Sequence, residues 1–108
     1  MKTVLVLNND QMGQGDQALG QKILATFLRK TTALHDLAAI VFYNHGVKLT
    51  VAGSPLLVEL RQLHDAGVEL LPCGTCLDYY GLQPAVAHAS NMDEIVRALG
   101  AAEKVITL

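Results

Sequence analysis

Residues 3–8 (TVLVLN) and 38–44 (AAIVFYN) are short apolar runs with no alternation of polar residues. A strand with one face in water alternates, so unbroken runs rich in β-formers mark strands covered on both faces, the habit of parallel sheets. Weaker runs of the same kind stand at 68–72 (VELLP), 85–89 (AVAHA) and 104–108 (KVITL), which makes five expected strands. Parallel neighbours need crossover connections, and the intervening segments have the periodicity to supply them as helices.

Apolar residues recur at helical spacing at Leu19, Ile23, Phe27 and Leu28, then at Leu57, Leu60 and Leu63. The glycine-rich turn MGQGDQALG allows a tight passage from strand to helix, with Asp16 as the cap of the first helix. Its glycines at 13, 15 and 20 fit neither the GxGxxG spacing of a dinucleotide site nor a P-loop. Ser54 followed by Pro55 reads as a cap and first helical position, with Gly67 at the far end. The run 74–81 (GTCLDYYG) is a short helix candidate. A last helix is expected from Ser90 as cap, with Asp93 and Glu94 on its positive end and Gly100 as terminator. The βαβαβαβαβ order predicts a doubly wound, mostly parallel five-stranded sheet with helices on both faces, a flavodoxin-like layering with right-handed crossovers.

The 108 residues suffice for one domain, 1–108, with no repeat or linker. At this length folding hides only about 60–68% of the chain's surface. With 51% apolar and 17% charged residues, some apolar surface is expected to be covered by other subunits, so the chain reads as a homo-oligomer. A net charge of −2 offers no basic footprint for nucleic acid or an anionic membrane. The N-terminal apolar run is too short for a signal peptide or a membrane span, and a cytoplasmic location is expected. In that reducing compartment a close pair of cysteines is catalytic, redox-active or metal-binding more often than a structural disulfide.

In sheets of this kind, ligands gather beyond the carboxyl ends of the strands. The loops expected there are 8–16 (NNDQMGQGD), 44–54 (NHGVKLTVAGS), 73–76 (CGTC) and 88–91 (HASN). Cys73 follows a strand and precedes a helix with Gly74 and Thr75 near its start. Backbone N–H groups are therefore expected to point at the Cys73 sulfur and favour its thiolate, the form that attacks a sulfane sulfur or a disulfide. His45 and Lys48 on the neighbouring loop are candidates to add positive charge. Asn8, Asn9 and Asp10 are candidates to hydrogen-bond a ligand, although turns use Asn and Asp for local reasons, and Asp16 and Thr75 join Asn8 as supporting site candidates. Tyr79 and Tyr80 suit either a pocket beside the cysteines or a subunit contact. His35, His64 and His88 are scattered and receive no role.

CGTC admits three chemistries. A zinc site needs four ligands and one CxxC supplies two, so no metal is expected. A thioredoxin-like pair would use Cys73 as exposed attacker and Cys76 as resolving thiol, but the pair follows the third expected strand, late in the chain. Two inert buried thiols are the remaining reading.

The runs GVELLPCGTCLDYYGL, MGQGDQALG, FYNHGVKLTVAGSP, NMDEIVRAL and KVITL together resemble the DsrE/DsrF-like family over nearly the whole chain. Within it, the chain is most similar to the DsrE-like domain of YedF-type proteins, associated with selenium metabolism. The resemblance implies a doubly wound α/β sheet, a trimeric or hexameric assembly, and a cysteine carrying sulfur as a persulfide between protein partners. It places that cysteine at Cys73, with Gly81 closing the short helix and Cys76 a subgroup feature. YedF-type proteins usually carry a preceding TusA-like domain and this chain begins directly at strand one, so the donor domain is expected to be either a separate protein or absent. The expectation is a cytosolic persulfide carrier for sulfur or selenium, sulfurtransferase-like and without cofactor, taking sulfur on Cys73 and relaying it. Its rivals are a CxxC thiol-disulfide oxidoreductase and a non-enzymatic oligomeric binding module.

Overall fold

Strand β1 (Thr3–Leu7) is buried at every position, which requires a strand on each side and a layer on each face. It has both. A computed structural model describes residues 2–34 and 36–108 and shows a four-stranded sheet in the order β3-β2-β1-β4. Strand β2 (Leu37–Phe42) lies parallel to β1, pairing Val4 with Ala39 and Leu7 with Phe42. Strand β3 (Glu69–Pro72) lies parallel on the outer side of β2, and β4 (Lys104–Thr107) parallel on the other side of β1. His35 lies outside the described residues.

The strand order takes the chain outward from β1 to β3 and then back across the sheet to β4. With right-handed crossovers, helices α1 (Gln17–Arg29) and α2 (Leu57–Asp65) cover one face, and α3 (Gly74–Tyr80) and α4 (Met92–Ala101) belong to the return over the other. One contiguous core joins the strands to Leu24, Leu28, Leu60, Leu77 and Ile95 from the four helices. Among the described residues no helix is long and apolar enough to cross a membrane.

The expected strand at 85–89 does not form. Ala87 takes φ 64, a left-handed conformation that no strand tolerates, and Pro84 lacks the N–H a ladder needs. Isolated bridges flank this stretch in place of a ladder, Val51 with Pro84 and Cys73 with Ser90. Four small or polar side chains around Val86 leave too little apolar surface to hold a fifth strand in the sheet.

Helix boundaries follow capping chemistry with shifts of a residue or two. Asp16 caps α1 as expected, accepting the Leu19 N–H at 2.8 Å. For α2 the Ser54 hydroxyl accepts the Leu56 N–H, but the helix begins later, with Leu56 at its cap. For α4 the cap is Asn91, which accepts the Glu94 N–H at 2.9 Å, while the Ser90 hydroxyl binds the Glu94 carboxylate. Gly100 lies within α4 and does not terminate it.

The buried stripe of α1 is Gly20, Leu24 and Leu28; of the expected stripe, Leu28 is buried and Phe27 half-buried, while Leu19 and Ile23 are exposed. Gly20 sets this rotation: its carbonyl accepts the Met12 N–H, and a Cβ there would come within 2.7 Å of the Gln11 Cβ. The helix packs its glycine against the turn that precedes it, and Leu24 and Leu28 face the core in consequence.

Candidate functional site

The carboxyl ends of β2 and β3 build the site. Beyond Phe42 the chain stays extended through Tyr43 and then turns at Asn44, φ 52, into a 3-10 segment, Asn44–Thr50. That segment sits on the end of β1. A Cβ on Gly46 would lie 1.9 Å from the Leu7 carbonyl oxygen, so only glycine permits the approach.

Beyond Pro72, Cys73 prolongs β3 by one residue, donating its N–H to the Phe42 carbonyl at 2.9 Å, and becomes the cap of α3. The Gly74 N–H donates to the Ser90 carbonyl at 3.0 Å. A Cβ on Gly74 would stand 2.7 Å from that same oxygen, so this glycine too is required by close approach. Gly81, φ 66, closes α3 in a left-handed conformation, at the helix end that the family resemblance implies.

This geometry reverses the expected exposure of the two thiols. Cys73 is 2% exposed and belongs to the core, while Cys76, one helical turn later, is half-buried and faces a cleft. The backbone donors expected on the Cys73 sulfur are not there: Gly74 gives its N–H to Ser90, and the Cys73 side chain makes no capping hydrogen bond. The sulfur that receives a backbone donor is that of Cys76, which accepts the Asn44 N–H at 3.1 Å.

The cleft has a volume of about 650 Å³, in the range of small-molecule sites. Thr75, Cys76, Tyr79 and Tyr80 line it from α3, Met92, Ile95 and Leu99 from α4, and Tyr43 and Asn44 from the end of β2. The lining is largely apolar and aromatic. Burial pushes the Cys76 thiol above the ordinary thiol range; the Asn44 N–H opposes the shift, and the neighbouring Cys73 adds to it.

Tyr80 gathers the loop around Cys76. Its hydroxyl donates to Asn44 Oδ1 at 2.6 Å. The Lys48 ammonium lies 4.8 Å from its ring centroid, and the rings of His45 and Tyr79 meet it edge-on at 5.5 and 5.3 Å. His45 and Lys48 thus reach the site through Tyr80. Thr75 is exposed on the cleft wall. Asn8 lies on the same sheet edge, its Cα against Gly46, whereas Asp16 is occupied in capping α1 and is not among the residues that line the cleft.

Asn44, Tyr43 and the α4 residues are absent from the sequence-predicted site. Asn44 carried one usable signal: asparagine is the residue other than glycine that best tolerates the left-handed region, and here it directly follows an apolar strand. The α4 residues carried none, since their facing depends on a crossover from the far side of the sheet. Among the described residues no group of three or more His, Cys, Asp and Glu side chains is placed to hold a metal ion.

Solved structures share this architecture. The ychN protein from E. coli superposes with a TM-score of 0.71 at 20% identity, covering 100% of both chains. A protein of unknown function from Methanobacterium thermoautotrophicum superposes with a TM-score of 0.72 at 19% identity, covering 99% of this chain and 98% of its own. A conserved protein of unknown function from Bacteroides thetaiotaomicron gives 0.66 at 16% identity, covering 98% and 94%. At such identities the likeness establishes the fold. No curated relative matches the sequence. The DsrE/DsrF-like family model matches residues 1–108, and the chain belongs to the DsrE/DsrF-like family.

Proposed function

We propose that this chain is a sulfur-transfer protein in which Cys76 accepts a sulfane sulfur and Cys73 stands behind it as the resolving thiol. The observation that carries this reading is the position of Cys76 Sγ, on the wall of an apolar cleft with a backbone N–H donated to it, while Cys73 is sealed in the core. The family resemblance places the carried sulfur on Cys73. Burial favours Cys76 instead, because a donor must bring its sulfur within bonding distance of the attacking thiolate.

In the loading step the Cys76 thiolate attacks the outer sulfur of a donor persulfide. A new S–S bond forms on Cys76, the donor's S–S bond breaks, and the donor leaves as a thiol after taking up the proton. An acceptor thiolate then attacks the outer sulfur and restores the Cys76 thiolate. Attack by Cys73 on the inner sulfur would instead expel hydrosulfide and leave a Cys73–Cys76 disulfide, which an external dithiol must reduce.

The same reading takes donor and acceptor to be proteins, a TusA-like donor among them, with sulfur or selenium as cargo and the cytoplasm as location. It takes the protein to be a homo-oligomer, trimer or hexamer, which the exposed apolar side chains Leu19, Ile23, Val58, Met92 and Val96 support. A thiol-disulfide oxidoreductase is favoured by the placement of the two cysteines one turn apart at the start of α3. The direction of the Cys76 shift does not separate the two readings, since both begin from the Cys76 thiolate.

Intact-mass analysis after incubation with a low-molecular-weight persulfide tests the assignment. A gain of one sulfur is expected in the wild type and in Cys73→Ala, and its loss in Cys76→Ala. Loading that survives in Cys76→Ala and disappears in Cys73→Ala would return the carrier role to Cys73; no loading in any of the three would end the sulfur-transfer reading.

A further inference from the structure

Cys76 and Tyr80 are four residues apart on one face of α3, and a single loop residue is bonded to both. Asn44 donates its backbone N–H to Cys76 Sγ at 3.1 Å and accepts the Tyr80 hydroxyl on its side-chain oxygen at 2.6 Å. It does so with φ 52, a conformation in which residues other than glycine are uncommon. Tyr80 is itself held, by the Lys48 ammonium over its ring and by the edges of His45 and Tyr79.

We propose that Asn44 is a positioning residue for the Cys76 sulfur: tethered through its side chain to the Tyr80 hydroxyl, it keeps its backbone N–H aimed at that sulfur, so that an anion formed there meets a donor already in place. The inference rests on the reading of Cys76 as the sulfur-accepting thiol. Each part of the arrangement has a physical reason. Asparagine combines tolerance of the left-handed region with a short acceptor side chain. A hydrogen bond to an ionised sulfur is worth more than one to the neutral thiol, so the donor favours the reactive form. Tyrosine supplies a hydroxyl on a rigid ring, and the ring contacts fix where that hydroxyl points.

The other groups about Cys76 do not substitute for this donor. Cys73, at the start of the same helix, pushes the Cys76 thiol up, as burial does. Tyr43, Tyr79 and Tyr80 are the remaining titratable groups of the cleft lining, and His45 and Lys48 act through the Tyr80 ring. From α4 the lining residues are Met92, Ile95 and Leu99, none of which titrates.

The test is the rate of Cys76 alkylation by iodoacetamide as a function of pH, in the Cys73→Ala background so that one thiol is counted. Tyr80→Phe and Asn44→Ala are expected to move the midpoint up by about 0.5–1 pH unit, which is about three- to tenfold slower alkylation below it. Asn44→Gly, which keeps the left-handed conformation open, is expected to move it less than Asn44→Ala. Tyr80→Phe removes a single oxygen and retains the ring, so it keeps the test open should an Asn44 variant fail to fold. Profiles of folded Tyr80→Phe and parent protein that superimpose would overturn the proposal, as would unmoved profiles in folded Asn44→Gly and Asn44→Ala. Failure of the parent to load sulfur would remove the transfer reading and leave this comparison intact; an unmoved profile in a parent that does load sulfur would remove the positioning role alone.

Discussion

Gly46 faces the Leu7 carbonyl so closely that a Cβ on it would lie 1.9 Å from the oxygen. Leu7 ends the central strand and cannot move without disturbing both of its neighbours, so the relief must come from the 3-10 segment that carries Asn44. Gly46→Ala is expected to cost about 1–3 kcal/mol, the usual penalty for overpacking, and to lower the urea midpoint accordingly. Gly100→Ala is the contrasting case. Gly100 is inside α4 with nothing within 4 Å of an added Cβ, so alanine should stabilise by about 0.5–1 kcal/mol. Chemical denaturation of the two variants should show opposite signs.

Cys76 should be a slow nucleophile at neutral pH. Burial and the adjacent Cys73 hold its proton more tightly than in the unfolded chain, with the Asn44 N–H as a partial counterweight. The folded state therefore binds the proton at Cys76 more strongly. The associated stability is fully present below the unfolded thiol's pKa and is lost as pH rises through the higher folded value. Alkylation of native Cys73→Ala protein should accelerate into the alkaline range, with a midpoint above that of the same chain in denaturant. A native midpoint below the denatured one would contradict the sign.

The sequence marks Asp16 as both a cap and a candidate site residue, and the structure allows the two to be separated. Its carboxylate accepts the Leu19 N–H at 2.8 Å at the start of α1 and lies outside the cleft lining. Asp16→Ala should cost about 1 kcal/mol through loss of the cap. It should leave the Cys76 alkylation profile unchanged. A change in that profile without a change in stability would place Asp16 in the site after all.

Strands β1, β2 and β3 were legible because each is an apolar run that needs cover on both faces, whereas β4, an edge strand with three of its four residues exposed, was legible only as a short run of β-formers. The 85–89 run is apolar too, but its alanines bury little surface, and Ala87 turns left-handed where Thr50 and Pro72 capture the neighbouring backbone N–H groups. Helix caps were readable to within two residues, since capping is local chemistry. Helix rotation was not: α1 turns its face by packing Gly20 on the preceding loop, a contact no spacing of leucines encodes. The thiols failed for the same reason. Which cysteine faces out depends on the Ser90 carbonyl seated against Gly74, and Ser90 reaches that place only after the chain has passed through 82–89.

The burial contrast between the thiols sets their order of modification. Cys73 is 2% exposed, its N–H is bonded to Phe42 of β2, and Ser90 is bonded to the residues on either side of it, Pro72 and Gly74, so a reagent reaches it only when this edge of the sheet opens. Limited alkylation of the native wild type followed by peptide mapping should label Cys76 first, with Cys73 modified only at a rate that tracks local opening. In denaturant the two should react at comparable rates. The choice of replacement matters as well. Cys73→Ser would place a hydroxyl in an apolar core, an expected cost of about 1–3 kcal/mol if it finds no partner, whereas Cys73→Ala removes the sulfur without adding a polar atom. The alanine variant should therefore be the more stable of the two by denaturant midpoint. Equal labelling of both cysteines in the native protein would mean that the β3–α3 junction opens readily, and that either thiol can receive the incoming sulfur.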